Sequence, residues 1–268
     1  MPSNNSYNDS VVMRLDVDTE TPTLYKQPPQ FAGKVALTDF DVSPAGRVWY
    51  LDEMKEGGHT VVAFYADGSV ASETHLDTPV GLLVNRFKVA GDSTILVGGF
   101  FTSYAAKELQ GKGYLVLFDK AGRPRKELSK DVVSDVDLSE ASSKFLEGAV
   151  ASGLDGSFYV LKDNEIFIIS NVGEVVRRIS IRRFDEDSHA FRMDLSRNLL
   201  SIEFHKPDRE GVLHAWFLVL ESGTGEPFGF YKSSEDLGDD CICFSSRSGY
   251  LFSRLESGRI KLLSAPLR

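Results

Sequence analysis

Five runs of large apolar residues recur along the chain, at 61–68, 114–122, 166–173, 215–225 and 260–267, with starts 53, 52, 49 and 45 residues apart. The first four run into a glycine-containing turn, and Gly68, Gly122, Gly173 and Gly223 are themselves spaced by 54, 51 and 50 residues. Glycine adopts the positive φ of a tight hairpin turn without steric cost, so Asp67-Gly68 and its counterparts read as hairpins. A more polar strand follows each turn, at 70–77, 123–130, 175–182 and 227–233. A second hairpin precedes each apolar strand, around Ser43-Pro44-Ala45-Gly46, Gly91, Asp155-Gly156, Asn198 and Gly249. The unit is therefore four antiparallel strands in about 50 residues, which is the period of a β-propeller blade.

This periodicity predicts an all-β chain forming a five-bladed β-propeller of four-stranded antiparallel blades. The fifth unit ends before its outer strand, and the stretch 11–16 (VVMRLD) is expected to supply it. Such closure would remove an exposed sheet edge. Six blades are the alternative, because 17–35 has no obvious place in a five-unit scheme. Residues 1–10 read as a flexible tail, and 11–268 as one propeller domain.

The wording of the strand–turn–strand segments, YLVLFDKAGRPRKEL at 114–128 and VVAFYADGSVASE at 61–73, resembles the NHL/TolB-like propeller group of bacterial proteins. The resemblance runs over nearly the whole chain, on a motif of an apolar strand followed by Asp-Gly or Asp-x-x-Gly. It implies a propeller. It leaves the task open between interaction scaffolds and sugar-lactone hydrolases, the latter holding a metal on ligands from several blades.

Charge is unevenly distributed along the repeat. In an up-and-down blade, one set of connections emerges together: 52–59, 131–141, 183–189, 205–214 and 233–240. These hold sixteen acidic and four basic residues, a sum of −12 against −9 for the whole chain. The outer strands carry the reverse sign, with Arg123, Arg125 and Lys126 in one unit and Arg177, Arg178, Arg182 and Arg183 in the next. Basic residues on exposed edges discourage edge-to-edge pairing. The acidic balance argues against a nucleic-acid partner, which would need a basic face.

No apolar run has the length of a membrane span and no secretion leader is legible, so a cytoplasmic place is the default, periplasmic or secreted if a leader has been removed. The two cysteines, Cys241 and Cys243, fall at i and i+2 of one strand. That spacing suits neither a disulfide framework nor a complete thiolate metal site.

Candidate ligand-binding residues lie at the starts of the inner strands and in the acidic loops: Asp39, Arg86, Glu147, Asp185, Asp187, His189, Arg192, Asp239 and Asp240. Asp39, Glu147 and Asp240 are the carboxylates that could converge on a hard cation such as calcium, whose shell is built from oxygens. Arg86 at the same mouth opposes a cation. No cofactor is otherwise expected. The pair His205 and His214 is too small a set for catalytic zinc. Nucleophile-elbow, P-loop, dinucleotide-fingerprint and zinc-protease patterns are all missing from the sequence.

The leading expectation is a monomeric, non-enzymatic propeller that binds a protein, peptide or small ligand through its acidic loop-rich face. A calcium-dependent, lactonase-like hydrolase working at the channel mouth is the alternative. A structural module of a larger assembly is a third.

Overall fold

The structure is a computed structural model that describes residues 11–16, 21–26, 28, 35–43, 46–54, 58–91, 94–101, 111–128, 132, 149–181, 189–207, 210, 213–232, 241–245, 249–256 and 259–265. Two compact units are distinguished, Met1–Ser139 with Leu154–Ser157 and Ser170–Glu174, and Glu140–Gly153 with Phe158–Ile169 and Val175–Arg268.

In the first unit, β1 (Val11–Asp16) pairs with β2 (Thr21–Lys26) as a two-stranded hairpin. The first blade follows as β3 (Val35–Val42), β4 (Val48–Met54), β5 (His59–Phe64) and β6 (Val70–Leu76). The second blade is β7 (Leu82–Ala90), β8 (Thr94–Phe101), β9 (Gly113–Phe118) and β10 (Pro124–Glu127). The third blade, whose strands lie in the second unit while its turns Leu154–Ser157 and Ser170–Glu174 belong to the first, is β11 (Val150–Ser152), β12 (Phe158–Lys162), β13 (Glu165–Ile169) and β14 (Val175–Ser180). In the second unit the fourth blade is β15 (His189–Ser196), β16 (Leu199–Pro207), β17 (Leu213–Glu221) and β18 (Pro227–Lys232). A three-stranded sheet, β19 (Cys241–Ser245), β20 (Gly249–Glu256) and β21 (Arg259–Ala265), completes the described strands.

The repeat is thus real, but the five-bladed ring of four-stranded blades is overturned, and so is the six-bladed alternative. The described residues hold four blades of four antiparallel strands. The last sheet has three strands. Val11–Asp16 does not complete it, because all six of its residues pair in register with Thr21–Lys26. A strand four residues away in sequence is a far cheaper partner than one across the chain, since loop-closure entropy grows with separation.

Why the middle strands are continuous apolar runs is clear from burial. Strands β5 and β8 are buried at every position. Sheets covered on both faces lose the in–out alternation that marks a half-exposed strand. In the first unit, one core joins Trp49, Leu51 and Val61 of the first blade to Phe87, Val97 and Phe118 of the second. The opposite face of the first blade, Val48, Tyr50, Val62 and Phe64, packs against Tyr25 and Val12 of the hairpin. There the Tyr50 hydroxyl donates to the Tyr25 carbonyl and accepts the Val12 N–H at 2.7 Å. Burial is the main cause that pushes the Tyr50 phenol up to about 12, so the donated proton stays in place across the physiological range. A separate core in the second unit contains Leu161, Ile166, Ile179, Leu200, Ile202, Phe204 and Leu220.

The recurring glycine has two roles. In the turns after β5, β9 and β13, Gly68, Gly122 and Gly173 donate to the carbonyls of Tyr65, Asp119 and Ser170 at 2.9–3.0 Å. Their φ values of +87°, +78° and +85° make each the left-handed residue that closes a three-residue hairpin loop. Each glycine also touches the strand before its blade. A Cβ on Gly68 would lie 2.4 Å from the Leu24 carbonyl, one on Gly122 1.8 Å from the His75 carbonyl, and one on Gly173 2.7 Å from the Lys126 side chain. In the fourth blade the turn is one residue longer, and Gly225 rather than Gly223 does this, at 2.2 Å from Ile179. Gly46 has the same left-handed backbone (φ +82°), with nothing within 4 Å of its would-be Cβ.

No helix among the described residues is long and apolar enough to cross a membrane.

The two kinds of glycine separate experimentally. Gly46→Ala is expected to cost only the left-handed strain, about 1–2 kcal/mol. Gly122→Ala adds a backbone collision and should cost at least twice that. Urea midpoints of the two variants check the order, and equal losses would deny the docking role of the turn.

Candidate functional site

The first strand of a blade carries its candidates immediately after a β-bulge, and this recurs in three blades. The register of β3 shifts between Leu37 and Asp39, that of β7 between Val84 and Arg86, and that of β15 between Ala190 and Arg192. An extra residue (Thr38, Asn85 or Phe191) sits before each of Asp39, Arg86 and Arg192. Bulges bend a strand and re-aim the side chain that follows. The glycine pair opposite the β7 bulge makes room for it: a Cβ on Gly99 would lie 2.1 Å from the Leu83 carbonyl, and one on Gly98 3.3 Å from Arg86 Cβ.

Two positions further on lies a second charged residue in every case: Asp41, Lys88 and Asp194. Residues i and i+2 share a face of a strand. In the first unit, β3 therefore presents two carboxylates to two cations of β7. Lys88 Nζ stands 2.7 Å from Asp41 Oδ1, and the buried Val89 N–H donates to Asp41 Oδ2 at 2.8 Å. Asp41 is 4% exposed. Burial raises the Asp39 carboxyl above its usual range, an effect opposed by Lys88, by the Phe40 N–H and by Arg86. The same burial lowers Arg86, with Asp39 acting against it. These charges hold one another.

In the second unit, Arg192 Nε meets the Asp194 carboxylate at 3.1 Å on the same strand. Arg192 is paired in register with the buried Glu203 of β16. Glu203 Oε1 in turn lies 2.6 Å from His205 Nε2. His189 opens β15 opposite His205. His205 and His214 do not face each other. His205 is opposite Ala215 and His214 is opposite Lys206. Successive positions on a strand point to opposite faces, so the two imidazoles diverge.

Of the sequence-derived candidates, the structure thus brings Asp39 and Arg86 together through facing strands, and sets Arg192 beside Glu203 and His205. Glu147, Asp185, Asp187, Asp239 and Asp240 lie outside the described residues. No three of His, Cys, Asp and Glu among the described residues come close enough to share a metal ion. Of the calcium candidates only Asp39 is described, and it faces Arg86 and Lys88. Sequence reasoning missed Lys88, Asp194 and Glu203. The signal for Lys88 and Asp194 was a charge at i+2 from a candidate on the same strand; Glu203 is found only through its pairing with Arg192.

His59 adds a buried titratable group at the start of β5. It is 2% exposed, its Nδ1 lies 3.0 Å from Thr78 Oγ1, and its Nε2 has no hydrogen-bond partner. Burial, helped by the neighbouring His75, lowers its pKa to about 4.

Two predictions follow from these contacts. Asp41→Ala leaves the buried Val89 N–H without its acceptor and removes a carboxylate from Lys88, and is expected to cost about 2–3 kcal/mol in chemical denaturation. No change would show that the pair is ornamental. For His59, the folded pKa lies below the unfolded value near 6.5, so protons favour the unfolded chain. Its stabilisation is present above pH 6.5 and is lost as the pH falls to about 4, by about 3 kcal/mol in all. His59→Gln should flatten the stability curve across that window, and an unaltered curve would remove His59 as its source.

No known family model matches the chain, and no curated protein matches it either. Similarity appears among solved structures. BBS1N, solved in complex with ARL6DN, has a TM-score of 0.51 at 10% identity, covering 98% of this chain and 74% of that one. A luciferin-regenerating enzyme also has a TM-score of 0.51 at 10% identity, covering 91% of this chain and 76% of that one. The Dos1 propeller has a TM-score of 0.49 at 10% identity, and this chain spans 59% of its length. At such identity the two likenesses with TM-scores above 0.5 reach the fold and not the narrower NHL/TolB-like group. The chain is an all-β β-propeller, with four four-stranded blades among the described residues.

Proposed function

We propose that the chain is a non-enzymatic binding propeller whose ligand, a protein or peptide, is met at the loop-rich end where the first strands begin. The observation that carries this reading is the repeated bulge with its charged i and i+2 residues, in three blades. In the first unit Asp39, Asp41, Arg86 and Lys88 are held by burial and by each other, which leaves little reorganisation to make on binding. The acidic residues Asp185, Asp187, Asp239 and Asp240, with Glu147 and His189, would supply its electrostatic attraction.

The fold itself does not choose between tasks, since among the similar structures one is held in a protein complex and another is an enzyme. The choice rests on this chain's residues. The calcium-dependent hydrolase reading is disfavoured because Asp39, the one described carboxylate of its three candidates, already faces Lys88 and Arg86.

The test has two arms. Immobilised full-length chain should retain a defined set of proteins by quantitative mass spectrometry. Reversing Asp185, Asp187, Asp239 and Asp240 to lysine should release them; an unchanged set would reduce the acidic face to a solubilising one. Thermal unfolding with calcium and with a chelator should coincide. A stabilisation approaching about 2.7 kcal/mol at a hundredfold excess over Kd would favour the metal-dependent reading instead.

A further inference from the structure

The outer strand of each four-stranded blade carries a β-bulge at its second residue. The register shifts leave Ala71 in β6, Arg125 in β10, Val176 in β14 and Phe228 in β18 as the extra residue. A bulge sets two residues opposite one, so the bulged side chain and its successor crowd where a regular strand would part them. In three blades that pair holds at most one charge: Ala71 with Ser72, Val176 with Arg177, and Phe228 with Gly229. In β10 it is Arg125 with Lys126, two cations opposite Leu117. Like charges so placed repel, and protection of an edge does not require a second one.

The surroundings do not compensate this pair. Strand β10 is exposed at all four positions, and Lys120 and Arg123 in the turn before it are exposed as well. Among the described residues, none of these four cationic side chains has a hydrogen bond or a close ion pair. Residues 119–127 hold four cations against two carboxylates, which leaves +2 in a chain of −9. One of those carboxylates, Asp119, is occupied by the turn: its Oδ1 accepts the N–H groups of Ala121 and Arg123 at 2.8 and 3.0 Å. The Arg123 N–H is the largest cause holding that carboxyl below its usual range, and the Arg123 and Arg125 charges add least. The stem of Lys126 is braced by the turn after β13, where a Cβ on Gly173 would lie 2.7 Å from its Cδ. The arginines of β14 differ. Arg177 donates to the Gly223 carbonyl, and the Arg178 guanidinium lies 4.9 Å over the Phe167 ring. Those of β14 are engaged within the protein, whereas those of β10 are presented.

We infer that the β9–β10 hairpin is a docking surface for an extended acidic segment of a partner protein, met through its basic side chains. Carboxylates suit it, because an arginine fork takes one in two parallel hydrogen bonds and the adjacent ammonium takes a second. Arg123 to Lys126 spans roughly 10 Å of strand, so three or four acidic residues in a row match it. A phosphate polymer is a poorer occupant, since a long backbone would run past this strip into a chain of net −9. A lipid surface is poorer too. The apolar residues of β9 beneath, Leu115, Val116, Leu117 and Phe118, are buried, so none is offered for insertion. The surface uses no residue of the acidic loops, and its failure or success leaves the function proposed above untouched.

The probe is a fluorescein-labelled peptide, Gly-Glu-Asp-Glu-Glu-Asp-Gly, titrated with the full-length chain by anisotropy, beside a twin with Gln and Asn in place of its acids. Saturable binding of the acidic peptide is expected, with the twin weaker by about tenfold or more and the affinity falling as salt is added. Arg123→Glu with Arg125→Glu should weaken the acidic peptide by about tenfold or more, and the milder Arg123→Gln with Arg125→Gln by about threefold. Arg177→Glu with Arg178→Glu changes the net charge as much as the first variant and should alter binding by less than about twofold. Circular dichroism melts establish that each variant is folded. An equal loss from the β14 variant would reduce the effect to overall charge. Equal affinity for the two peptides, or tighter binding of inorganic polyphosphate or of phosphatidylserine vesicles than of the acidic peptide, would assign the surface another role. Each of these results overturns the inference.

Discussion

A left-handed glycine with no room for a Cβ is the contact on which the stacking of strands in this protein depends. In each unit of the repeat it does two things that no other residue does together. It closes the hairpin between the third and fourth strands, and it lets that hairpin press against the strand that precedes the blade, to the point that Gly122 touches the His75 carbonyl. The Asp77 N–H completes this junction by donating to the Gly122 carbonyl at 2.9 Å. Polar backbone groups at the seam are thereby satisfied, and the apolar faces beside them can close without leaving orphaned donors.

Around that contact the charged residues fall into order. The cores take the faces of the middle strands, and the candidate charges gather where a strand is bent. The bulges in β3, β7 and β15 supply the bends. They carry Asp39, Arg86 and Arg192 out of the regular alternation, and the i+2 charges then pair with whatever faces them. Asp41 with Lys88 is the clearest instance, because the carboxylate also takes a buried backbone N–H. The pair both joins two blades of the first unit and uses up the carboxylate that a cation would need.

Much of this was legible in the sequence, for a physical reason. The period is carried by glycine and by continuous apolar runs, and both signals survive without knowledge of the partner strand. The fate of Val11–Asp16 was not legible, because any apolar hexapeptide can join either of two edges, and the local partner Thr21–Lys26 is itself an unremarkable polar stretch. Gly223 was mistaken for Gly225 because an inserted residue in the turn shifts the left-handed position without altering the period much. The bulges were invisible because a bulge is a relation between two strands. Gly98-Gly99 was its only trace in one chain. Asp39, Arg86 and Arg192 were found as charges at strand starts, but their common placement after a bulge needed the register.

The glycine junction is also one-directional. Gly68 rests on β2, Gly122 on β6, Gly173 on β10 and Gly225 on β14, so every turn docks onto a strand that lies earlier in the chain. During synthesis the receiving strand has always left the ribosome before the turn that will cap it. Each unit of about 50 residues can then add to a finished template, and the long-range pairing that slows β proteins is divided into short local steps.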